Sequence, residues 1–359
     1  MNTQIISIII FSAVILSIIT EKIDRTVAAI SGAVLMILTH VLTLDKGISY
    51  IDFNTIGVLI GMMIVVSVVK NSGLFEYIAI YTAKKSKGNP WKIMICFILI
   101  TALLSALLDN VTTVLLVGPM TIVICQILKI NQVPFLMTEI IASNVGGTST
   151  LIGDPPNIMI GSAANLNFND FIVNIGPVVI FIIISLLVCF KIIYRKEINN
   201  VSNEVAISSL DENKAIKDKS LLYKSICVLF LILLGFIFHN KLQIESSIVA
   251  LSGACIMLII GGQDPSEIIS SVEWSTIIFF IGLFIVVGGI SESGVIKDLA
   301  SLLLEFTKGN TTSTMCIILW ISAVISSFLD NIPFVATLIP LILTMEAQGM
   351  NVAPLWWAT

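Results

Sequence analysis

The sequence predicts an all-α polytopic membrane protein made of two inverted repeats, each with five spans plus a re-entrant helical hairpin and a broken helix. Three observations carry that prediction. Of 359 residues, 57% are hydrophobic and only 12% are charged, about half the charged share of a soluble domain. Apolar runs of roughly 16 to 20 residues recur from end to end, the length that crosses a hydrocarbon core about 30 Å thick. The chain also repeats itself at a single fixed offset, as many transporters do.

Taken in order, the first spans are 4–20, 27–43 and 54–71, followed by an amphipathic piece near 74–86. Residues 4–20 read as a span rather than a signal peptide, because Met1–Ile10 carries no basic residue and no small-x-small cleavage site follows. Apolar helices at 91–108 and 111–128 come next, then a span broken within 136–161, and 171–193. Tyr194–Ser220 is a charged linker. Beyond it lie 221–239, 246–262, 274–290, an amphipathic piece near 294–307, 312–329 and 332–346.

At an offset of 221, Ser31-Gly-Ala33 falls on Ser252-Gly-Ala254, and Gly61, Val65, Gly73 and Ala79 fall on Gly282, Val286, Gly294 and Ala300. Ser105, Leu108, Asp109, Asn110 and Pro119 fall on Ser326, Leu329, Asp330, Asn331 and Pro340. Helices 91–108 and 111–128 meet at the polar pair Asp109-Asn110, which suits a hairpin that enters and leaves on one side. Each repeat then has an odd number of crossings, so its copy is inverted. Placing the linker 195–220 in the cytoplasm leaves fifteen basic residues inside and only Lys46, Lys241, Lys297 and Lys308 outside. That bias satisfies the positive-inside rule and puts the N-terminus outside.

The residues that would carry chemistry are polar groups at membrane depth. Asp109 and Asp330 each stand between apolar helices, where an intramembrane carboxylate costs at least ~2.5 kcal/mol. Each would cap the helix after it, bind a cation or proton, or do both. Asn110, Thr112 and Thr113 add oxygens around the first tip. The copy has Asn331, Pro333 and Phe334, so the second tip is poorer in oxygen ligands.

The stretch Ala142–Asn157 holds three glycines, two prolines and an aspartate between apolar flanks. Such a sequence breaks a helix, and broken backbone is tolerated in a bilayer only where protein or a polar cavity satisfies it. Ser143, Asn144, Gly146, Gly147, Thr148, Ser149, Thr150, Asp154 and Asn157 are therefore read as a ligand loop, with Na+ candidates at Asp109, Asn110, Asn144 and Thr148. Gly57-x-x-x-Gly61 reads instead as a helix-packing face. Glu139 is either a proton relay or an interfacial charge. His40 and His239 are isolated, and the six cysteines are scattered singly in apolar segments as small buried hydrophobes. No P-loop, zinc-ligand spacing or nucleophile elbow is present, so neither an enzyme nor a cofactor is expected, only a coupling ion.

Leu107-Leu-Asp-Asn-Val-Thr-Thr113, followed by Ser143-Asn-Val-Gly-Gly-Thr-Ser-Thr-Leu-Ile-Gly-Asp-Pro-Pro-Asn157, resembles the ion transporter superfamily. The nearest branch is the arsenite permease and sodium/proton antiporter group (ArsB/NhaD-like), with citrate-transporter-like and melanosomal P-protein relatives. The resemblance implies an elevator-type homodimer in the plasma membrane, with scaffold segments 1–88 and 221–308 and transport segments 89–194 and 309–359.

In the repeat register Thr138 meets Thr359, so the second broken helix and last span would lie past the end. The family pattern implies a native chain about 55 residues longer. The expected function is a secondary transporter driven by H+ or Na+, of the Na+/H+ antiport or arsenite-efflux kind. A Na+-coupled citrate or dicarboxylate carrier is the alternative, weakened because 93–128, 130–190 and 309–359 contain no Lys or Arg to pair with a carboxylate. A channel or an intramembrane enzyme is the reading from another class. Nucleic acid is not an expected partner, and no ATPase subunit is needed.

Overall fold

A computed structural model describes residues 3–195 and 212–359. Residues 196–211 of the linker lie outside the described residues. Eighteen α-helices and no strand occur among the described residues. The first half runs α1 (Thr3–Thr20), α2 (Arg25–Leu38), α3 (Leu44–Ser49), α4 (Phe53–Asn71), α5 (Leu74–Lys85), α6 (Pro90–Ser105) and α7 (Asn110–Leu128). It continues with α8 (Val133–Gly147), α9 (Pro155–Ala164), α10 (Phe168–Asn174) and α11 (Gly176–Ile193). After a single 3-10 turn at Glu212–Ala215 come α12 (Lys219–Leu242), α13 (Ser246–Ile260), α14 (Pro265–Ser270) and α15 (Trp274–Glu292). The last are α16 (Val295–Thr307), α17 (Thr311–Ile325) and α18 (Asn331–Ala347). Six of them, α1, α4, α7, α11, α12 and α15, are long and apolar enough to cross a membrane. The described residues are those of an all-helical, polytopic membrane protein.

Capping side chains set the helix starts. Asp24 accepts the N–H groups of Thr26 and Val27 ahead of α2, and Asp218 those of Ser220 and Leu221 ahead of α12. A Lys-Gly-Asn turn leads into both α6 and α17. Lys87 and Gly88 adopt φ of 52° and 67°, while Lys308 and Gly309 adopt 53° and 68°. Asn89 then accepts the Lys92 N–H, and Asn310 that of Ser313.

Helix bounds recur 221 residues apart: α3 at 44–49 with α14 at 265–270, and α4 at 53–71 with α15 at 274–292. Close packing recurs as well. A Cβ on Gly61 would come within 2.6 Å of the Ala250 backbone, and one on Gly282 within 2.7 Å of Ala29. Together with Gly57 against Ser247, these are small-residue contacts of the kind that join helices in lipid, where apolarity alone gives no preference for protein over acyl chains.

The chain forms two compact units. One comprises Met1–Ile56, Met159–Leu166 and Glu273–Thr359. It is centred on α15, whose Phe279, Phe280, Leu283 and Val286 are fully buried and on which α1, α2 and α18 pack. The other comprises Gly57–Ile158 and Asn167–Val272. In it α6 lies along α8, α7 touches both, and α12 pairs with α13. Its core gathers Ile93, Met94, Phe97 and Ile98 from α6, Ile124 and Cys125 from α7, and Phe135 and Ala142 from α8.

Each predicted apolar segment falls on a helix, but 27–43 and 246–262 are the shorter α2 and α13, which are not among the six long enough to cross. Three short helices, α3, α10 and α14, were not anticipated. The predicted break within 136–161 is the interval between Gly147 and Pro155. Pro155 and Pro156 open α9 in its first turn, where a missing N–H costs no helical bond.

Candidate functional site

Four helix ends converge in the unit that holds the first tip: the C-terminal ends of α6 and α8 and the N-terminal ends of α7 and α9. Close backbone approach makes this possible. A Cβ on Gly146 would lie 2.2 Å from the Ala102 carbonyl oxygen, and one on Gly153 would lie 2.5 Å from the Gly147 oxygen and 2.6 Å from that of Ser105. Ser105 Oγ donates to the Ser143 carbonyl at 2.6 Å, and Thr150 Oγ1 donates to Ala106 O. Asn157 Nδ2 bridges the break from beneath, donating to Thr150 O at 2.8 Å and Gly147 O at 3.2 Å. The freed backbone groups of the broken span are thus met by side chains, as lipid surroundings require.

On this frame Asn110 Nδ2 donates to Asn144 Oδ1 at 3.0 Å and to Asp154 Oδ2 at 3.4 Å. Asp109 caps α7, accepting the Thr112 N–H at 2.7 Å. Asp154 is buried and directly precedes α9. Both carboxylates therefore sit at the positive end of a helix dipole. The cluster offers carboxylate and amide oxygens, the donors preferred by hard cations, and carboxylates that a proton can occupy.

The other nominated residues fall around this centre with different duties. Thr113 is fully buried, and its hydroxyl has no hydrogen-bond partner. Ser143, Thr148 and Ser149 turn their hydroxyls back onto Ile140 O, Val145 O and Gly146 O of their own helix. Gly146 and Gly147 serve helix packing, the role expected only of Gly57 and Gly61.

The second tip belongs to the other unit. Asp330 caps α18 through the Ile332 N–H at 3.4 Å, and Asn331 accepts from Ser326 Oγ. Pro333 and Phe334 are buried in place of threonines. Arg25, from the start of α2, places Nη1 3.6 Å from Asp330 Oδ2, donates Nη2 to Thr276 Oγ1 at 3.3 Å and lies 5.3 Å from the centre of the Phe279 ring. A cleft of about 360 Å³ opens here between Ile18, Glu21, Asp24, Arg25, Phe328 and Asp330. Arg25 lies outside 93–128, 130–190 and 309–359, whose lack of Lys or Arg weakened the carboxylate reading, yet the fold brings it to the second tip. The signal was available: a cation at a helix N-terminus opposes the dipole, so Arg25 needs another reason to be there.

A family profile described as citrate transporter matches residues 15–359. The chain belongs to the citrate transporter family. This transporter is also 42% identical to an uncharacterized transporter of Mycobacterium tuberculosis, over 99% of its own chain and 84% of that protein. It is 31% identical to an uncharacterized transporter of Synechocystis sp. over 93% of its chain and 75% of the relative. The human P protein matches at 30% over 99% of the chain, which spans 53% of that protein's length. The family is one of transporters, not enzymes.

Proposed function

We propose that this transporter is a secondary active carrier, driven by an H+ or Na+ gradient, that moves a small ion or solute by Na+/H+ antiport or arsenite-type efflux. The observation that carries this reading is the joining of Asn110, Asn144 and Asp154 at the broken helix, beside the capping carboxylate of Asp109. Two carboxylates on helix N-termini, faced by amide oxygens, form a reversible site for a small cation or a proton. The recurrence of helix bounds and close glycine contacts at the 221-residue offset supports an inverted-repeat, elevator-type carrier. In this reading the transporter is a plasma-membrane homodimer with scaffold segments 1–88 and 221–308. Its N-terminus is external and its linker 195–220 is cytoplasmic.

A second reading, a Na+-coupled citrate or dicarboxylate carrier, draws support from the description of the family and from Arg25 at the second tip. A guanidinium that pairs with Asp330 is able to exchange that partner for a substrate carboxylate. Flux into proteoliposomes under imposed pH and Na+ gradients, comparing Na+, arsenite and citrate, separates the readings. Gradient-dependent uptake of one of them is expected. Uptake that ignores both gradients contradicts a secondary carrier.

A further inference from the structure

Glu139 lies on α8, away from the Asn110–Asn144–Asp154 cluster, and it is fully buried. Its Oε1 accepts the Thr121 hydroxyl of α7 at 2.5 Å, and its Oε2 has no hydrogen-bond partner. The helices packed against α8 bring it no buried cation: Lys92 of α6, Lys129 at the C-cap of α7 and Lys191 of α11 are exposed, the last over the Trp91 ring. The other titratable groups on those elements are Cys125, buried one turn beyond Thr121 on α7, Cys96 on α6, exposed Cys189 on α11 and Tyr194 at its end. A negative charge at Glu139 would rest on one hydroxyl bond, an expensive arrangement in a low-dielectric interior. A proton on Oε2 removes that charge without requiring any other side chain.

Thr121 joins this carboxyl to α7, the helix that begins at the tip. Thr113, Val117 and Thr121 are four residues apart and all buried, so they form one face of α7. Thr113 donates its N–H to the Asp109 carbonyl at 3.0 Å. On α8, Glu139 shares the buried face with Ser143, one turn before Asn144.

We propose that Glu139 is a second proton-binding carboxyl of this transporter, apart from the tip, and that its bond to Thr121 transmits proton occupancy along α7 to the Asp109–Asn110 tip. The inference rests on the H+-driven reading above. An O–H bond forms at Oε2 when a proton arrives from water on one side and breaks when it leaves to the other; no electrons are exchanged.

Infrared titration of the purified transporter tests the site without needing a substrate. A protonated-carboxyl band that titrates with pH in the wild type and is missing from Glu139→Gln is expected. Identical spectra in the two proteins overturn the proposal. In vesicles with a trapped pH dye, Glu139→Gln should lose proton flux linked to added Na+, arsenite or citrate. Thr121→Val, which keeps the carboxyl and the side-chain shape, should shift the pH profile of that flux. Unchanged linked flux in Glu139→Gln, or an unshifted profile in Thr121→Val, reduces the carboxyl to a structural part and overturns the coupling role. Absence of linked flux in the wild type instead removes the H+-driven reading, and the coupling role with it, while the infrared band still reports whether Glu139 holds a proton.

Discussion

Gly146→Ala probes the contact that holds the broken helix in place. The added Cβ would meet the Ala102 oxygen at 2.2 Å, its Cα at 2.5 Å and its carbonyl carbon at 2.7 Å. All three are backbone atoms, so no rotamer change relieves them. Bringing the first to the 3.4 Å of ordinary contact requires α8 to retreat from α6 by about 1.2 Å. Overpacking of this sort costs about 1–3 kcal/mol, and the upper end applies where backbone must move. Replacing Gly by Ala within a helix returns about 1 kcal/mol, leaving a net loss near 2 kcal/mol. Gly118→Ala is the control: its nearest foreign atom is Leu136 Cδ2 at 3.6 Å, so only the propensity gain remains. Thermal unfolding in detergent should therefore rank Gly118→Ala at or above the wild type and Gly146→Ala clearly below it. The retreat would also pull the Ser143 carbonyl from Ser105 and Asn144 from Asn110, so transport should fall with stability. Equal unfolding temperatures for the two variants would refute the packing argument.

Arg25→Gln should leave stability nearly unchanged, within about 1 kcal/mol, because Arg25 and Asp330 side chains are 45% and 38% exposed. Under the carboxylate reading the same variant should raise the KM for citrate; an unchanged KM removes Arg25 from substrate binding. Lys84 beside Glu212 holds that carboxyl below its ordinary value of 4.5. The stabilisation is present above 4.5 and is lost as pH falls through the depressed value. Hydrogen exchange in 212–217 should accelerate on acidification below that value, and Glu212→Gln should abolish the dependence. Cysteines placed at Asn110 and Asn331 should label preferentially from opposite sides of the membrane; labelling of both from one side contradicts inverted hairpins.

The helices were legible because span length and capping are local. Asp109 and Asp330 were read as helix caps from their place between apolar runs, and run length and composition mark most of the rest. Three short helices escaped because six or seven residues carry too little periodicity to distinguish a turn from a loop. Asn110, Asn144 and Asp154, which hydrogen bonds join, stand out in the sequence because Asp and Asn between apolar runs have few bland explanations. The internal geometry of their cluster was not legible. Gly146 and Gly147 were read as part of a ligand loop, whereas the structure packs them against the backbone of Ala102 and Gly153. Only tertiary contact distinguishes those roles. Arg25 and Asp330 stand 305 residues apart in sequence, beyond any local pattern. Glu139 could be singled out as a buried acid, but its partner Thr121 depends on how α7 and α8 pack.

The most direct test of the central claim compares Asp109→Asn with the wild type in proteoliposomes under imposed Na+ and pH gradients. Asparagine ranks with aspartate as an N-cap, so the variant preserves the bond to the Thr112 N–H and removes only the charge. The account predicts an unchanged unfolding temperature together with loss of the Na+ or pH dependence of flux. A variant that transports with the same gradient dependence as the wild type would contradict it.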